Sequence, residues 1–364
     1  MKSNDINILD LSYEQLKEWL ASKQEKTYQA DQIVKWVYRE MVIGFDDMVD
    51  LKPRLIEKLK EFALVSTLDI VDLKESADSQ NCKMLLKAKD GKSFEASLMK
   101  FAQNGISRER RTVCVSSQVG CAIGCRFCAT GQQGFERNLS AGEIVEQVIV
   151  FMKYLRNNIA ENQNKVYWPY ITHVVFMGMG EPLANFDNVG QAINILNSPK
   201  GLNLGVRQIT LSTCGIIPQI LHMANNRNKF ELAISLHAST NELRDYLVPI
   251  NRKYPLNELI TACKVYYQKT GRRPFFEYAL FKGINDNQKD AENLVRLLKD
   301  FKGSVNLIIG NENSDLEFKP SSRIKAIEFQ KYLMAGGLRT MIRISKGTDI
   351  EAGCGQLKSR RSDK

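Results

Sequence analysis

The chain has 364 residues, 43% hydrophobic and 25% charged, and carries a net charge of +10. That length suggests about two domains and a core that needs no disulfide staples, since such a chain buries roughly three quarters of its unfolded surface. It contains no apolar run of membrane-spanning length, and its start lacks the apolar stretch of a secretory leader. No membrane role and a cytoplasmic location are therefore expected, where eight cysteines are better read as ligands or catalysts than as bridges.

The first sixty residues read as helices. In "SYEQLKEWLASKQ" Ser12 suits an N-cap, and Leu16, Trp19 and Leu20 share a face. "YQADQIVKWVYREMV" repeats the pattern through Ile33, Val34, Val37 and Met41, and "KPRLIEKLKEFA" starts beside Pro53. Aromatic and basic residues alternate here (Trp19, Lys35, Trp36, Tyr38, Arg39), which suits either an RNA-contacting face or apolar packing. From Val65 to Met99 the period shortens to that of strands, with a hairpin turn at Asp90-Gly91. This reads as a small β section, residues 65–110, between a helical part, 1–64, and the main domain, 111–347.

From Arg111 onward strands and helices alternate. Strands are predicted at 112–117, 173–178, 208–213, 231–236, 275–281, 305–309 and 340–345, and helical patterns such as "SAGEIVEQVIVFMKYL" and "NQKDAENLVRLLKDF" lie between them. Alternation of this kind predicts a parallel α/β sheet, either a barrel or doubly wound. Residues 348–364 form a closing loop and a basic tail, "KSRRSDK"; a second basic cluster, "SRERR", spans Ser107–Arg111. These clusters suit a polyanionic partner or a plain solvated surface.

Directly after the first strand of the main domain, "CAIGCRFCATG" spaces Cys121, Cys125 and Cys128 as C-x3-C-x2-C. Structural zinc closes its tetrahedron with a fourth Cys or His, and the three histidines, His173, His222 and His237, lie far away in sequence. A [4Fe–4S] cluster usually takes four thiolates; with three, one iron stays open to a substrate. A zinc knuckle with a distant fourth ligand is the structural alternative. Cys82, Cys214 and Cys263 lie in apolar contexts and read as small buried hydrophobes. Cys114 sits on a strand, where periodicity gives the same reading. Cys354, between Gly353 and Gly355 in a loop after the last strand, reads as chemical rather than packed.

The segments "VCVSSQVGCAIGCRFCATGQQGFERNL", "FMGMGEPLAN", "LSTCGIIP", "SLHA", "VPIN" and "GTDIEAGCGQL" resemble the radical S-adenosylmethionine (SAM) methyl synthases that methylate adenine C2 in RNA, over nearly the whole chain. The resemblance implies an open, partial parallel βα barrel and a [4Fe–4S] cluster on Cys121, Cys125 and Cys128. It further implies SAM bound by Gly180, Glu181, Ser212, Ser235, Leu236, His237 and Asn311. It implies methylation of an adenosine of 23S rRNA (adenosine 2503) and of tRNA adenosine 37, by a monomer served by flavodoxin or ferredoxin. A related branch methylates C8 and carries Ala where this chain has Pro182, which favours C2.

Adenine C2 is electron-poor and cannot attack a sulfonium, so radical chemistry is needed. By resemblance, Cys354 first takes a methyl group as S-methylcysteine, and that carbon is then joined to C2. Cys114 resolves the adduct through a transient disulfide with Cys354, and Glu95 accepts the C2 proton; the plain alternative for Glu95 is a solvent-facing strand carboxylate. Arg108, Arg110 and Arg111 are candidate RNA-backbone contacts. The rival readings are a C8 methylase, a radical SAM activase, and a non-enzymatic RNA-binding metalloprotein.

Overall fold

The computed structural model describes residues 6–102, 109–161, 171–228, 230–301, 303–311, 317–343 and 345–358. Ser107, Arg108, Glu312, Asn313 and the basic tail beyond Lys358 lie outside them. Its centre is one ten-stranded sheet. In chain order the strands are β1 (Leu68–Glu75), β2 (Asn81–Ala88), β3 (Ser93–Phe101), β4 (Arg110–Cys114), β5 (His173–Phe176), β6 (Ile209–Thr213), β7 (Glu231–Ser235), β8 (Phe275–Leu280), β9 (Ser304–Ile309) and β10 (Arg339–Arg343). Each strand pairs with its neighbour in chain order, and β1 and β10 are the two free edges, so the barrel is open. From β4 to β10 every pairing is parallel.

The parallel strands carry large apolar side chains at every second position. Val174, Leu211, Ile234, Phe276 and Leu307 are buried in the continuous core beneath the helices. The alternate positions, among them Cys114, Ser212, Glu277 and Asn306, turn into the barrel and line its cavities. The period of two that predicts these strands therefore also separates packing residues from chemistry.

The β section is not a separate unit. β3 pairs antiparallel with β4, placing Ser97 opposite Cys114, so β1 to β3 extend the main sheet. The N-terminal helices, Tyr13–Ser22, Gln29–Lys35 and Pro53–Phe62, form as the sequence predicts. The first is closed by a capping box between Ser12 and Gln15, and the third starts on Pro53. They dock on the barrel helices: Gly142 N–H donates to Asp10 (2.5 Å), Gln191 bonds Gln15 (2.6 Å), and Lys200 pairs with Asp31 (2.6 Å). Buried Glu146, on the long helix Ala141–Glu161, accepts from Ser66, Thr67 and Leu68. Tyr38 is buried and Trp19 and Trp36 pack against the same core, so packing accounts for the interleaved aromatics.

After β10 the chain crosses back over the open side of the barrel. Ala77 N–H donates to Asp349, Lys83 Nζ to the Glu351 carbonyl (3.1 Å), and Lys358 N–H to Glu95 (2.9 Å). Farther on, Ala129 N–H donates to the Gly355 carbonyl (2.8 Å) and Thr130 Oγ1 to that of Leu357 (2.6 Å). Residues 345–358 are thus latched to β2 and β3 on one side and to the three-cysteine loop on the other. Among the described residues no helix is long and apolar enough to cross a membrane.

Candidate active site

The loop holding Cys121, Cys125 and Cys128 is closed at its base by a short antiparallel pair, Gln118–Gly120 with Phe135–Asn138. Gly120 has φ +74°, and a Cβ there would lie 1.9 Å from the Gly134 carbonyl oxygen, so only glycine permits the closure. All three cysteines line one cleft at the C-terminal ends of the strands.

No three His, Cys, Asp or Glu groups among the described residues converge as they would around one ion. Three thiols on one loop, all lining one cleft, are a donor set that fits a [4Fe–4S] cluster, whose thiolate ligands sit on different irons. Burial raises the Cys121 and Cys128 thiols above their ordinary range.

Gly180, Glu181, Ser212, Ser235, His237 and Asn311 line the same cleft. Gly180 has φ +98°, and a Cβ would come within 2.6 Å of Gln118, so this turn too requires glycine. Glu181 is 2% exposed. Its carboxylate accepts the N–H groups of Cys214 (2.7 Å) and Leu183 (3.0 Å), while burial raises its pKa. No ion pair to Glu181 exists among the described residues, which leaves a buried anion at the wall of the cleft, suited to an ammonium group.

The hydroxyls of Ser212 and Ser235 lie 3.2 Å apart. His237 stands at φ +57°, receives the Ala279 N–H on Nδ1, and is held neutral by burial, with its pKa lowered to about 3. Its ring meets that of Phe127 edge-on at 4.9 Å. Leu236 departs from expectation: its side chain is in the core and lines no part of the cleft. Asn311 borders the cleft but donates to the Cys354 carbonyl (3.0 Å), so it also shapes the C-terminal loop.

Cys354 borders two spaces, this cleft and a second, lower cavity on the N-terminal half of the strands; Cys114 lines only the lower one. Burial raises the Cys114 thiol to about 12; Cys354 is an exposed residue, and desolvation of its sulfur where the two cavities meet raises its thiol as well. Arg343, which borders both cavities, opposes the rise at each and is itself paired with buried Glu277 (2.9 Å). All eight cysteines are free thiols in this structure.

Four participants escape the sequence reading. Arg343 and Glu277 read as ordinary strand residues. Cys214, assigned to packing, instead lines the cleft with its sulfur 3.8 Å from that of Cys125. Arg244 is fully buried; its guanidinium donates to the carbonyls of Leu236, Cys214 and Ser235 and to Asn251 Oδ1. Cys82 and Cys263 are buried as expected.

Glu95 is neither solvent-facing nor at either cavity. It is buried, paired with Lys83 (3.0 Å) and bonded to Lys358 N–H. Of the basic cluster, Arg111 is 8% exposed and paired with Glu109, and Arg110 borders the lower cavity, so the two do not form an outward patch.

Residues 6–65 match the ribosomal RNA large subunit methyltransferase N-terminal domain, and residues 115–298 match the radical SAM superfamily. A probable dual-specificity RNA methyltransferase RlmN of Clostridium perfringens is 41% identical over 97% of this chain and 96% of its own length. One from Thermotoga maritima is 43% identical over 98% of each. A crystal structure of a radical SAM methyltransferase from Sphaerobacter thermophilus superposes with a TM-score of 0.90 at 40% identity, covering 97% of this chain and 99% of that one.

Proposed function

Because this chain belongs to the radical SAM family of RlmN-type RNA methyltransferases, we propose that it methylates C2 of adenosine in 23S rRNA and in tRNA, with Cys354 as carrier of the methyl carbon. One observation carries the reading: Cys354 stands where the cleft lined by the three cysteines meets the cavity that holds Cys114. A methyl carrier needs both neighbours, the donor on one side and a resolving thiol on the other.

Cys121, Cys125 and Cys128 would hold a [4Fe–4S] cluster, with Gly180, Glu181, Ser212, Ser235, His237 and Asn311 around SAM. When bound, the cluster supplies the electron that cleaves the sulfonium and makes radical removal of hydrogen from an unactivated methyl group possible. The chain's own part is nucleophilic and positional. Cys354, as thiolate, accepts a methyl group and presents it at the cleft mouth. Arg343 draws its thiol toward ionisation, and Asn311 fixes its loop. Once the carbon is joined to C2, Cys114 as thiolate attacks the Cys354 sulfur: the disulfide forms, the sulfur–carbon bond breaks, and the carbon leaves with that electron pair, takes a proton and is freed as the methyl group of the base. Glu95, tied to Lys83 and Lys358, anchors the C-terminal segment; its service as proton acceptor is a separate question that substitution can answer. The helical residues 1–64 are the proposed RNA-contacting part, and an external electron donor, flavodoxin or ferredoxin by expectation, completes the cycle.

The test is nucleoside mass spectrometry of precursor rRNA and tRNA after anaerobic incubation with SAM and a reductant. 2-Methyladenosine is expected; 8-methyladenosine would move the chain to the C8 branch. Cys114→Ala should accumulate an enzyme–RNA adduct through Cys354, and free methylated RNA at the normal rate would contradict the resolving role.

A further inference from the structure

The two spaces that meet at Cys354 differ in charge. The upper cleft carries the buried carboxylates of Glu181 and Glu277, the second of them paired with Arg343, which borders both spaces. The lower cavity is lined by Arg110, Arg343 and Lys346 and by no carboxylate among the described residues. Arg110 and Lys346 both lie over the Phe101 ring, at 4.2 and 4.6 Å, which gathers the two cations at one rim. Three polar atoms of lining residues, Thr112 Oγ1, Asn306 Oδ1 and Ser345 Oγ, are buried without a hydrogen-bond partner. Cys114 borders only this space, while Arg110 and Met341 at its edge are exposed.

We infer that the lower cavity is the entry port and binding site for a small anionic thiol that reduces the Cys114–Cys354 disulfide; this rests on the resolving role proposed above. The attacking species in thiol–disulfide exchange is a thiolate, so the sign of the field along its path matters. Approach through the upper cleft brings it past the unpaired carboxylate of Glu181 and the Glu277–Arg343 pair; approach from below brings it past Arg110 and Lys346 before it reaches Arg343. The incoming thiolate attacks one sulfur, the Cys114–Cys354 bond breaks, and the other cysteine leaves as a thiolate. A second thiol displaces the first from the mixed disulfide. Both cysteines are then reduced, and the two electrons have come from two thiols joined as one small disulfide. The orphaned hydroxyl and amide atoms offer hydrogen bonds to the polar body of such a molecule. Cys114, 8% exposed, is closed to a redox cysteine carried on a folded protein, so attack on that sulfur falls to a small thiol in the lower cavity, with exposed Cys354 as the leaving thiolate.

The test uses the holoenzyme, turned over once on RNA under anaerobic conditions without added thiol. Alkylation quench and mass spectrometry quantify the Cys114–Cys354 disulfide. Its loss is then timed with 2-mercaptoethanesulfonate, 2-mercaptoethanol or cysteamine, each rate divided by that thiol's thiolate fraction. The expected order is anion, neutral, cation, spread about tenfold at low salt and narrowing as salt rises. The double variant Arg110→Glu, Lys346→Glu should reverse the order, each rate being referred to the amount of disulfide that variant forms in its own first turnover. Equal normalised rates, or an order indifferent to the double variant, would overturn the port alone. Absence of any disulfide after the first turnover would instead overturn the resolving role of Cys114, and the port with it.

Discussion

At Cys354 opposing influences meet: desolvation of the sulfur between the cavities raises the thiol, the Arg343 guanidinium lowers it, and the Glu277 carboxylate adds to the rise. The net shift is upward, so the thiolate needed for methyl acceptance is a minority near neutral pH and grows as pH rises. Self-methylation of Cys354, followed by mass spectrometry of its peptide, should therefore accelerate with pH. Arg343→Met removes the opposing cation and should displace the profile to higher pH, with the rate at pH 7 falling about tenfold for each unit of displacement. An unmoved profile would show that Arg343 serves only Glu277. Arg244 supports the site differently. Its guanidinium satisfies three carbonyls and one amide oxygen at the ends of β6 and β7, which bear Ser212 and Ser235. Arg244→Met strands these acceptors and should cost about 3–5 kcal/mol in chemical denaturation, because removing a buried charge's hydrogen bonds leaves partners unsatisfied.

The C-terminal segment is held by a buried ion pair at one end and by backbone bonds to the cysteine loop at the other. Lys83→Met would leave the Glu95 carboxylate buried and uncompensated, a loss of about 3–5 kcal/mol, whereas adding Glu95→Leu should recover most of it. Hydrogen exchange across residues 349–358 should quicken in the single variant and return toward the parent in the double. The double variant also bears on chemistry. If Glu95 only anchors, it still forms 2-methyladenosine; loss of product with a latched segment would restore the proton acceptor. The strands and the three-cysteine loop are legible in the sequence because their signals are local: alternation at period two, and ligands within eight residues. What escapes depends on closure of the barrel. Glu277 meets Arg343 across 66 positions, and Cys125 meets Cys214 across 89. No local pattern distinguishes such residues from ordinary strand residues or packed cysteines. The anchoring of Glu95 is equally invisible, because Lys83 and Lys358 reach it only through the sheet register and the returning tail.

For the molecule as a whole, the cleft and the charge are separable. The methyl acceptance proposed for Cys354 would need only a small donor inside the barrel, whereas RNA binding would draw on the +10 net charge of the chain. The N-terminal helices offer exposed Lys35, Lys52 and Arg54, though Lys35 is partly engaged by Asp50 at 3.7 Å. Each basic side chain that meets a phosphate releases counterions, so affinity for an rRNA fragment should fall linearly in log–log form with salt. Reversing Lys52 and Arg54 to Glu should weaken binding and lower that slope by about 0.7 for each lost phosphate contact. The RNA-free methylation of Cys354 should stay at the parental rate, since neither residue borders the cleft. An unchanged slope would place the RNA elsewhere on the surface, and a parallel loss of Cys354 methylation would mean that the helices support the barrel rather than the substrate.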